Sequence, residues 1–209
     1  ISLQNKYNYY KNNFDKLKEK DIIVSLLNIL DPYKLETKRY ISGLLNDRNK
    51  NIQDQKIRDD KLIIHKKLWG LSNNIITTNY DQILETANSR CKIILNNNEY
   101  LLNNFNRESF NLFKIHGTID YPNSCILFEQ EYNDLYSEDN NNLSLFTLKT
   151  IIKDYVILFM GFSMDDPYIE IVLRKMKSLC GSSSRPNYII SKSIIEGSKE
   201  LNLTSLLIE

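Results

Sequence analysis

Three groups of polar residues come directly after short apolar runs of the sequence. The groups are Thr77, Thr78, Asn79, Tyr80 and Asp81; His116 and Gly117; and Gly161, Phe162, Ser163, Asp165 and Asp166. An asparagine amide can hold a water molecule or a hydroxyl group, and a neutral imidazole can accept a proton near physiological pH. Ligands of open parallel sheets bind beyond the carboxyl ends of the strands. If the apolar runs are such strands, the three groups could line one site.

Two of these groups also have a purely structural interpretation as helix caps. Asn79 or Asp81 can cap the helix that is expected to follow them. Asp166 followed by Pro167 is a favourable helix start by itself. The sequence alone leaves both interpretations open for each group.

The two histidines lie in different contexts. His116 can be a hydrogen-bonded residue at a strand end, but Gly117 beside it would let a ligand approach the backbone closely. We therefore treat His116 as a candidate for proton transfer. His65 lies within a helical pattern among lysines, and we expect it to be structural or exposed at the surface.

The N-terminal third of the chain shows the periodicity of helices. Apolar residues at spacings of three and four indicate an amphipathic helix from about Leu3 to Leu30. Asp31-Pro32 then favours the start of a second helix through "YKLETKRYISGLL". A third helical pattern, "QKIRDDKLIIHKKLW", is expected to close at Gly70.

After Gly70 the pattern changes to short runs rich in Ile, Val, Phe and Leu, separated by helix-like segments. The runs are "NIITT", "CKIIL", "NLFKIHG", "CILF", "YVILFMG" and "NYIIS". Strands that alternate with helices predict an α/β fold with a parallel sheet covered on both faces.

Composition excludes several classes of protein. The 209 residues include 27 basic and 26 acidic ones, so no net electrostatic field attracts nucleic acid or anionic lipid. Cys91, Cys125 and Cys180 form no CxxC pair, which argues against a zinc ribbon or a disulfide framework. The longest apolar stretch, "YVILFMGF", is too short to span a bilayer. We expect a cytoplasmic protein that binds neither nucleic acid nor membrane.

The stretches "IITTNYDQILE", "FKIHGTID" and "ILFMGFSMDDPYI", in this order, resemble the SIR2-like domain family, the bacterial relatives of sirtuins. These motifs extend from Trp69 to Leu173. The resemblance implies a Rossmann-like parallel sheet with flanking helices and a helical N-terminal subdomain. The domain would cover residues 1–209, with a helical part at 1–70 and an α/β part at 71–209.

The resemblance also implies NAD as the ligand and assigns roles to individual residues. By this assignment Asn79 positions a water molecule and the nicotinamide ribose, and His116 is the catalytic histidine. Asp81 lies near the nicotinamide end. The turn of Gly161, Phe162 and Ser163 contacts the adenosine ribose and the phosphates. The other predicted NAD-binding residues are Thr77, Thr78, Gly117 and Asp166.

The activity implied by the resemblance is hydrolysis of NAD. Sirtuin deacylases carry a four-cysteine zinc module that presents the acyl-lysine peptide, and this sequence lacks it, so we expect no zinc and favour water as the acceptor. Many relatives act in bacterial anti-phage defence, where NAD depletion halts the infected cell. By analogy we expect a homo-oligomer with a phage-derived trigger.

One family feature is missing from the sequence. SIR2-like domains begin with a strand and a glycine-rich phosphate-binding turn, whereas the only glycine before Trp69 is Gly43, inside a helical pattern. We therefore expect the domain to be incomplete at its N-terminus. If the sequence is an excerpt, the turn lies upstream of Ile1; if it is complete, the pyrophosphate lacks its main cradle and the protein would be weak or inactive. Three alternatives to the hydrolase remain open: a non-catalytic regulatory module that binds NAD or ADP-ribose, a protein deacylase, and a structural α/β domain.

Overall fold

The structure is a computed structural model, which describes a defined part of the chain. The described residues are 26–50, 55–97, 109–137, 142–161, 170, 173–174, 177, 185–192 and 201–207. The chain divides into two compact units, Ile1–Asp134 and Leu135–Glu209. Among the described residues, each unit contains a three-stranded parallel sheet. The predicted α/β fold with parallel strands and flanking helices is confirmed, whereas the predicted domain limits stay a prediction.

The helices and strands alternate along most of the described chain. They are a helical segment at 26–30, a 3₁₀ turn at Asp31–Tyr33, α1 at Lys34–Lys50, α2 at Gln55–Leu71, β1 at Asn74–Thr77, α3 at Ile83–Ala87, β2 at Lys92–Leu95, β3 at Asn111–Lys114, a 3₁₀ turn at Pro122–Ser124, α4 at Glu129–Tyr136, α5 at Leu143–Asp154, β4 at Leu158–Phe159, β5 at Asn187–Ser191 and β6 at Leu203–Leu207. Helix α4 begins in the first unit and ends in the second.

The sheet of the first unit has the strand order β1-β3-β2, and all of its strands are parallel. The central strand β3 is buried along its whole length, and Leu112 and Phe113 have no exposed surface. Leu112, Phe113 and Ile115 supply the apolar part of "NLFKI" that predicts a buried strand, and the polar Asn111 and Lys114 are buried with them. At the amino end of the sheet, the Asn111 side-chain amide donates to Asn74 Oδ1 at 2.8 Å.

The helical N-terminal part agrees with the prediction within the described residues, apart from its boundaries. Asp31-Pro32 does not begin a new helix, because Leu30 keeps a right-handed helical conformation and the chain passes through a 3₁₀ turn into α1. The Asp31 carboxylate pairs with Lys34 at 3.0 Å, and the N-cap of the 3₁₀ turn is Leu30, which makes no side-chain capping hydrogen bond. Gly70 does not end α2 either; it lies within the helix, which ends at Leu71. Of the first predicted helix, residues up to 25 lie outside the described residues.

Two buried polar contacts fasten the helices of the first unit to the loops around its sheet. The Lys38 ammonium of α1 donates to Glu131 Oε1 of α4 at 2.5 Å, and its side chain is 7% exposed. The Trp69 indole of α2 donates to the Leu84 carbonyl of α3 at 2.9 Å. The helical part is therefore held in the same unit as β1, β2 and β3.

The segment "CILF" was predicted as a strand, and this prediction is wrong. Its backbone N–H groups find acceptors outside a sheet: Ile126 N donates to the His116 carbonyl at 2.9 Å. Leu127 N and Phe128 N both donate to Glu131 Oε2. A glutamate in the first turn of α4 that binds the backbone before the helix acts as half of a capping box. These donors are therefore not available to a sheet.

The sheet of the second unit has the strand order β4-β5-β6, again all parallel. Strand β5 is the predicted run "NYIIS", and β4 is only two residues of the predicted "YVILFMG". Strand β6 was not predicted. Its neighbour Asn202 has a φ of +54°, and the Asn202 side chain donates to the Arg185 carbonyl at 2.7 Å.

Neither a membrane-spanning helix nor a disulfide occurs in the part of the chain that the structure describes. No described helix is both long enough and apolar enough to cross a bilayer. Cys91 and Cys125 are free thiols, and Cys180 lies outside the described residues.

Candidate functional site

The carboxyl ends of β1 and β3 bring two of the predicted polar groups side by side. These strands are neighbours in parallel register, with Thr77 opposite Lys114. Beyond the strands, the pairing continues through two backbone hydrogen bonds, from Ile115 N to the Thr77 carbonyl and from Ile119 N to the Tyr80 carbonyl, both 3.1 Å long. The Asn79 segment therefore runs alongside the His116 segment.

Asn79 lies on the exposed side of this edge. Its backbone N–H donates to Thr77 Oγ1 at 3.1 Å, which turns the chain just after β1. The residue is exposed, whereas Thr77 and Thr78 are partly buried. The Asn79 amide can therefore meet a ligand from solvent.

Asp81 forms a local turn just before α3. Its Oδ1 accepts a hydrogen bond from Ile83 N at 3.0 Å, at the first residue of the helix, whose N-cap is Gln82. Asp81 therefore binds the start of the helix, as its structural interpretation expects, but from the residue before the N-cap. A contact of Asp81 with the nicotinamide end of NAD stays a prediction.

His116 is buried, with 3% of its surface exposed. The ring of Tyr132 from α4 packs against the imidazole edge to face, with 5.0 Å between ring centroids and 80° between ring planes. The His116 carbonyl accepts from Ile126 N at 2.9 Å. Both the ring and the backbone of His116 are thus held by neighbouring residues.

Tyr80 connects the two segments through its side chain. Its hydroxyl donates to the Ile126 carbonyl at 2.5 Å and lies 3.4 Å from the Tyr132 hydroxyl. Burial and the neighbouring Tyr132 raise the pKa of Tyr80 far above its usual value. The phenol therefore stays a neutral hydrogen-bond donor throughout the physiological range.

Gly117 is required by the turn after β3. Its φ is +88°, and a Cβ at this position would lie 2.1 Å from the Ser124 carbonyl oxygen. The close approach expected at this glycine is thus made by the chain's own backbone. The assignment of Gly117 to the NAD site stays a prediction.

Lys114 is a residue of this site that the sequence analysis missed. It is the last residue of β3 and has no exposed surface. Its ammonium pairs with Glu85 Oε1 at 2.5 Å and donates to the carbonyls of Asp81 and, at 3.4 Å, Tyr80. A lysine inside the apolar run "NLFKI" was the available signal, because such a lysine needs a buried partner.

The turn that carries Gly117 is also tied to β2. The Asn96 side-chain amide follows β2 and donates to the carbonyls of Ile115 and Ser124, both at 3.0 Å. The Ser124 hydroxyl accepts from Thr118 N at 3.0 Å. All three strands of the first sheet therefore contribute to holding the His116 turn.

The third predicted group lies partly outside the described residues. Gly161 follows β4, is exposed and has a φ of +63°. Phe162, Ser163, Asp165 and Asp166 are not among the described residues. Gly161 belongs to the second unit, whereas Asn79 and His116 belong to the first. The expectation that all three groups line one site stays a prediction.

Metal-ligating side chains do not cluster in the described ranges. No group of three or more His, Cys, Asp or Glu residues there could hold a metal ion.

Comparison with known proteins identifies similarity over most of the α/β region. The profile of the SIR2-like domain family matches residues 73–206. The NAD(+) hydrolase ThsA of Enterococcus faecium is 30% identical over 124 residues, which cover 57% of this chain and 26% of that protein. The protein of the same name from Cytobacillus dafuensis is 26% identical over 122 residues, covering 56% of this chain and 24% of that protein.

A third relative, the NAD(+) hydrolase ThsA of Bacillus cereus strain MSX-D12, is 23% identical over 120 residues. The matched region covers 56% of this chain and 25% of that protein. The similarity to these curated relatives thus spans about a quarter of their length.

Proposed function

Because this chain belongs to the SIR2-like domain family, we propose that it carries the catalytic residues of an NAD⁺ hydrolase. The reaction is cleavage of the bond between nicotinamide and ribose, with nicotinamide and ADP-ribose as products. The observation that carries the proposal is the pairing of the Asn79 segment with the His116 segment at the carboxyl edge of the first sheet. The names of the three relatives support the same reaction.

The chemistry of this bond suits the two side chains. When the glycosidic bond breaks, its electron pair moves to the ring nitrogen, so cationic nicotinamide leaves as a neutral molecule and needs no proton. Positive charge develops at the ribose carbon, which a water oxygen then attacks. Catalysis thus depends mainly on positioning the ribose and the water.

In the proposed mechanism, Asn79 binds the water or a ribose hydroxyl, and His116 accepts the proton that the water loses. Asn79 is exposed and so can reach a bound substrate, whereas His116 is held against Tyr132. The Thr77, Thr78, Asp81 and Gly117 positions lie on the same two segments and are proposed to contact NAD. Gly161, Phe162, Ser163 and Asp166 are proposed to bind its adenosine half.

The biological role that we propose is bacterial anti-phage defence by NAD depletion in the cytoplasm. This part of the proposal is supported by the family resemblance and by no residue of the chain. It includes a homo-oligomer and a phage-derived trigger. An infection assay that measures cellular NAD with and without the expressed protein tests it, and unchanged NAD during infection contradicts the role.

The activity is tested with the full-length protein and an etheno derivative of NAD, whose fluorescence rises when nicotinamide is released. We expect turnover. Saturable binding without turnover would support a non-catalytic nucleotide-binding module instead, and the absence of both would support a structural domain. Detection of free nicotinamide and ADP-ribose by chromatography separates hydrolysis from cyclisation.

A pair of asparagine variants makes the assay specific for the proposed site. Asn79→Ala is expected to lower kcat by about 10²-fold, the usual cost of losing one preorganised amide at a reacting centre. Asn73→Ala is the matched control, because Asn73 is also exposed and lies at the opposite end of β1. Equal loss of activity in both variants would contradict the proposed role of Asn79.

A further inference from the structure

Tyr80 is attached to the His116 side of the site at both of its ends. Its backbone carbonyl accepts from Ile119 N at 3.1 Å, and its side-chain hydroxyl donates to the Ile126 carbonyl at 2.5 Å. Ile119 and Ile126 flank the turn that follows β3. Tyr80 therefore cannot shift relative to this turn without breaking a hydrogen bond.

The hydrogen bonds and ring contacts form a closed set that includes His116. Ile126 N donates to the His116 carbonyl, and Ile126 O accepts from the Tyr80 hydroxyl. The Tyr80 hydroxyl faces the Tyr132 hydroxyl at 3.4 Å, and the Tyr132 ring packs against the imidazole. The backbone and the ring of His116 are thus both linked to the side chain of Tyr80.

We propose that Tyr80 and Tyr132 are positioning residues, which fix Asn79 and His116 relative to each other for the reaction proposed above. Asn79 is the chain neighbour of Tyr80, so its Cα lies about 3.8 Å from that of Tyr80 and moves with it. This inference rests on the proposed function for its effect on turnover. The geometric part, that Tyr80 holds His116 in place, is independent of turnover.

The two hydroxyl groups distinguish positioning from simple core packing. Phenylalanine at both positions would fill almost the same volume without the cost of burying polar atoms. The hydroxyl of Tyr80 makes a directional bond to one backbone carbonyl, whereas an apolar contact would tolerate small sliding movements. A displacement of about 1 Å at a reacting centre can cost about 10²-fold in rate.

The kinetic test uses Tyr80→Phe in the full-length protein. We expect kcat to fall by about tenfold or more while KM changes by less than about twofold, because the substrate contacts remain and only their alignment with His116 is lost. Tyr132→Phe is expected to have a smaller effect, since its hydroxyl lies 3.4 Å from that of Tyr80. Tyr40→Phe is the matched control, because Tyr40 is 69% exposed on α1.

A spectroscopic test separates failure of this inference from failure of the proposed function. The imidazole nitrogen signals of His116 are recorded by NMR in histidine-labelled protein and identified by their loss in His116→Gln. The sequence contains two histidines, and His65 serves as the internal reference. We expect Tyr80→Phe to shift the His116 signals and to leave those of His65 unchanged, whether or not the protein hydrolyses NAD.

Two results would overturn the inference. One is a Tyr80→Phe protein with unshifted His116 signals. The other is a Tyr80→Phe protein that melts at a lower temperature but keeps the kcat of the wild type, which would make the hydroxyl purely structural. If Tyr80→Phe does not fold, the same two measurements on Tyr132→Phe decide, with shifted His116 signals and a lowered kcat as the supporting result.

Discussion

His116 and Asn79 differ in burial, and this difference determines what each substitution reports. His116 is 3% exposed and packs against Tyr132, whereas Asn79 is exposed. Truncation of His116 therefore removes packing together with the proposed base. Truncation of Asn79 removes little besides its amide.

We predict that His116→Ala lowers kcat by about 10²-fold to 10⁴-fold, the usual contribution of a general base. Because the imidazole is buried, the variant is also expected to unfold at a lower temperature, while it keeps its far-UV circular dichroism. Turnover and thermal denaturation are measured on the same preparation. Wild-type turnover in His116→Ala would refute the assignment.

Gly117 and Gly43 make a matched pair of substitutions. Gly117→Ala is expected to destabilise the protein by at least about 3 kcal/mol, because its φ is +88° and the new Cβ would lie 2.1 Å from the Ser124 carbonyl. Gly43 lies in α1, and a Cβ there would meet nothing within 4 Å. Gly43→Ala is therefore expected to stabilise by about 0.5–1 kcal/mol.

Chemical denaturation of both glycine variants checks this pair. Both substitutions add the same methyl group. If one lowers and the other raises the unfolding free energy, the difference is due to backbone conformation and close contact at the two positions. A stable Gly117→Ala protein would show that the turn after β3 can rearrange, and it would contradict the described geometry.

At the scale of single elements, local composition predicts strands well where apolar residues follow one another, although only β3 is buried along its whole length. The runs that became β1, β2, β3 and β5 are rich in Ile, Leu and Phe, which pack on a pleated surface. "CILF" has the same composition, but the Glu131 carboxylate binds its backbone N–H groups. Strand β6 was missed because "LTSLL" mixes polar and apolar residues, with three of its five residues exposed.

A single apolar run in the sequence does not show which residues of other elements its side chains will contact. Lys114 could be seen as unusual in the sequence, but its acceptors are Glu85 and the loop carbonyls of Tyr80 and Asp81, which only the fold brings near. For the same reason, the sequence did not show that the described strands form two sheets. The adjacency of the Asn79 and His116 segments was predictable, because carboxyl ends of parallel strands meet at one edge.

Lys114 gives a prediction about how the loop after β1 is anchored. Lys114→Met is expected to cost about 3 kcal/mol in unfolding free energy, because it leaves the Glu85 carboxylate, whose side chain is only 13% exposed, without its cation. Glu85 Oε2 has no hydrogen-bond partner among the described residues. No other described group therefore stabilises the carboxylate charge through this oxygen when Lys114 is replaced.

The double variant Lys114→Met with Glu85→Gln provides the control. It removes the uncompensated charge, so we expect it to be more stable than Lys114→Met alone, with a coupling energy that a double-mutant cycle measures. Additive effects of the two substitutions would show that the ion pair does not hold the loop.

At the scale of the whole molecule, a buried thiol and a buried phenol make the unfolding free energy depend on pH in the alkaline range. Burial raises the pKa of the Cys125 thiol from 9.0 to about 11, and burial together with Tyr132 raises the pKa of Tyr80. Above pH 9 the unfolded chain loses the thiol proton while the folded protein keeps it. The unfolded state then binds fewer protons, so the unfolding free energy falls as pH rises.

We predict that stability is constant with respect to Cys125 below pH 9 and declines between pH 9 and 11, by at most about 1.4 kcal/mol per pH unit for each such group. Urea denaturation at pH 8.0, 9.5 and 10.5 measures the slope. Cys125→Ala and Tyr80→Phe are each expected to flatten it. An equally steep decline in both variants would assign the alkaline loss of stability to other groups.

The ion pair between Lys38 and Glu131 also affects how the chain folds during synthesis, because its two residues are 93 positions apart. At roughly 5–20 residues per second, a ribosome needs about 5–19 s to add the glutamate after the lysine. During that interval α1 lacks the anion for an ammonium that is buried in the finished protein. The first unit therefore cannot complete its packing until α4 has emerged from the ribosome, whereas the residues after Asp134 are not needed for this contact.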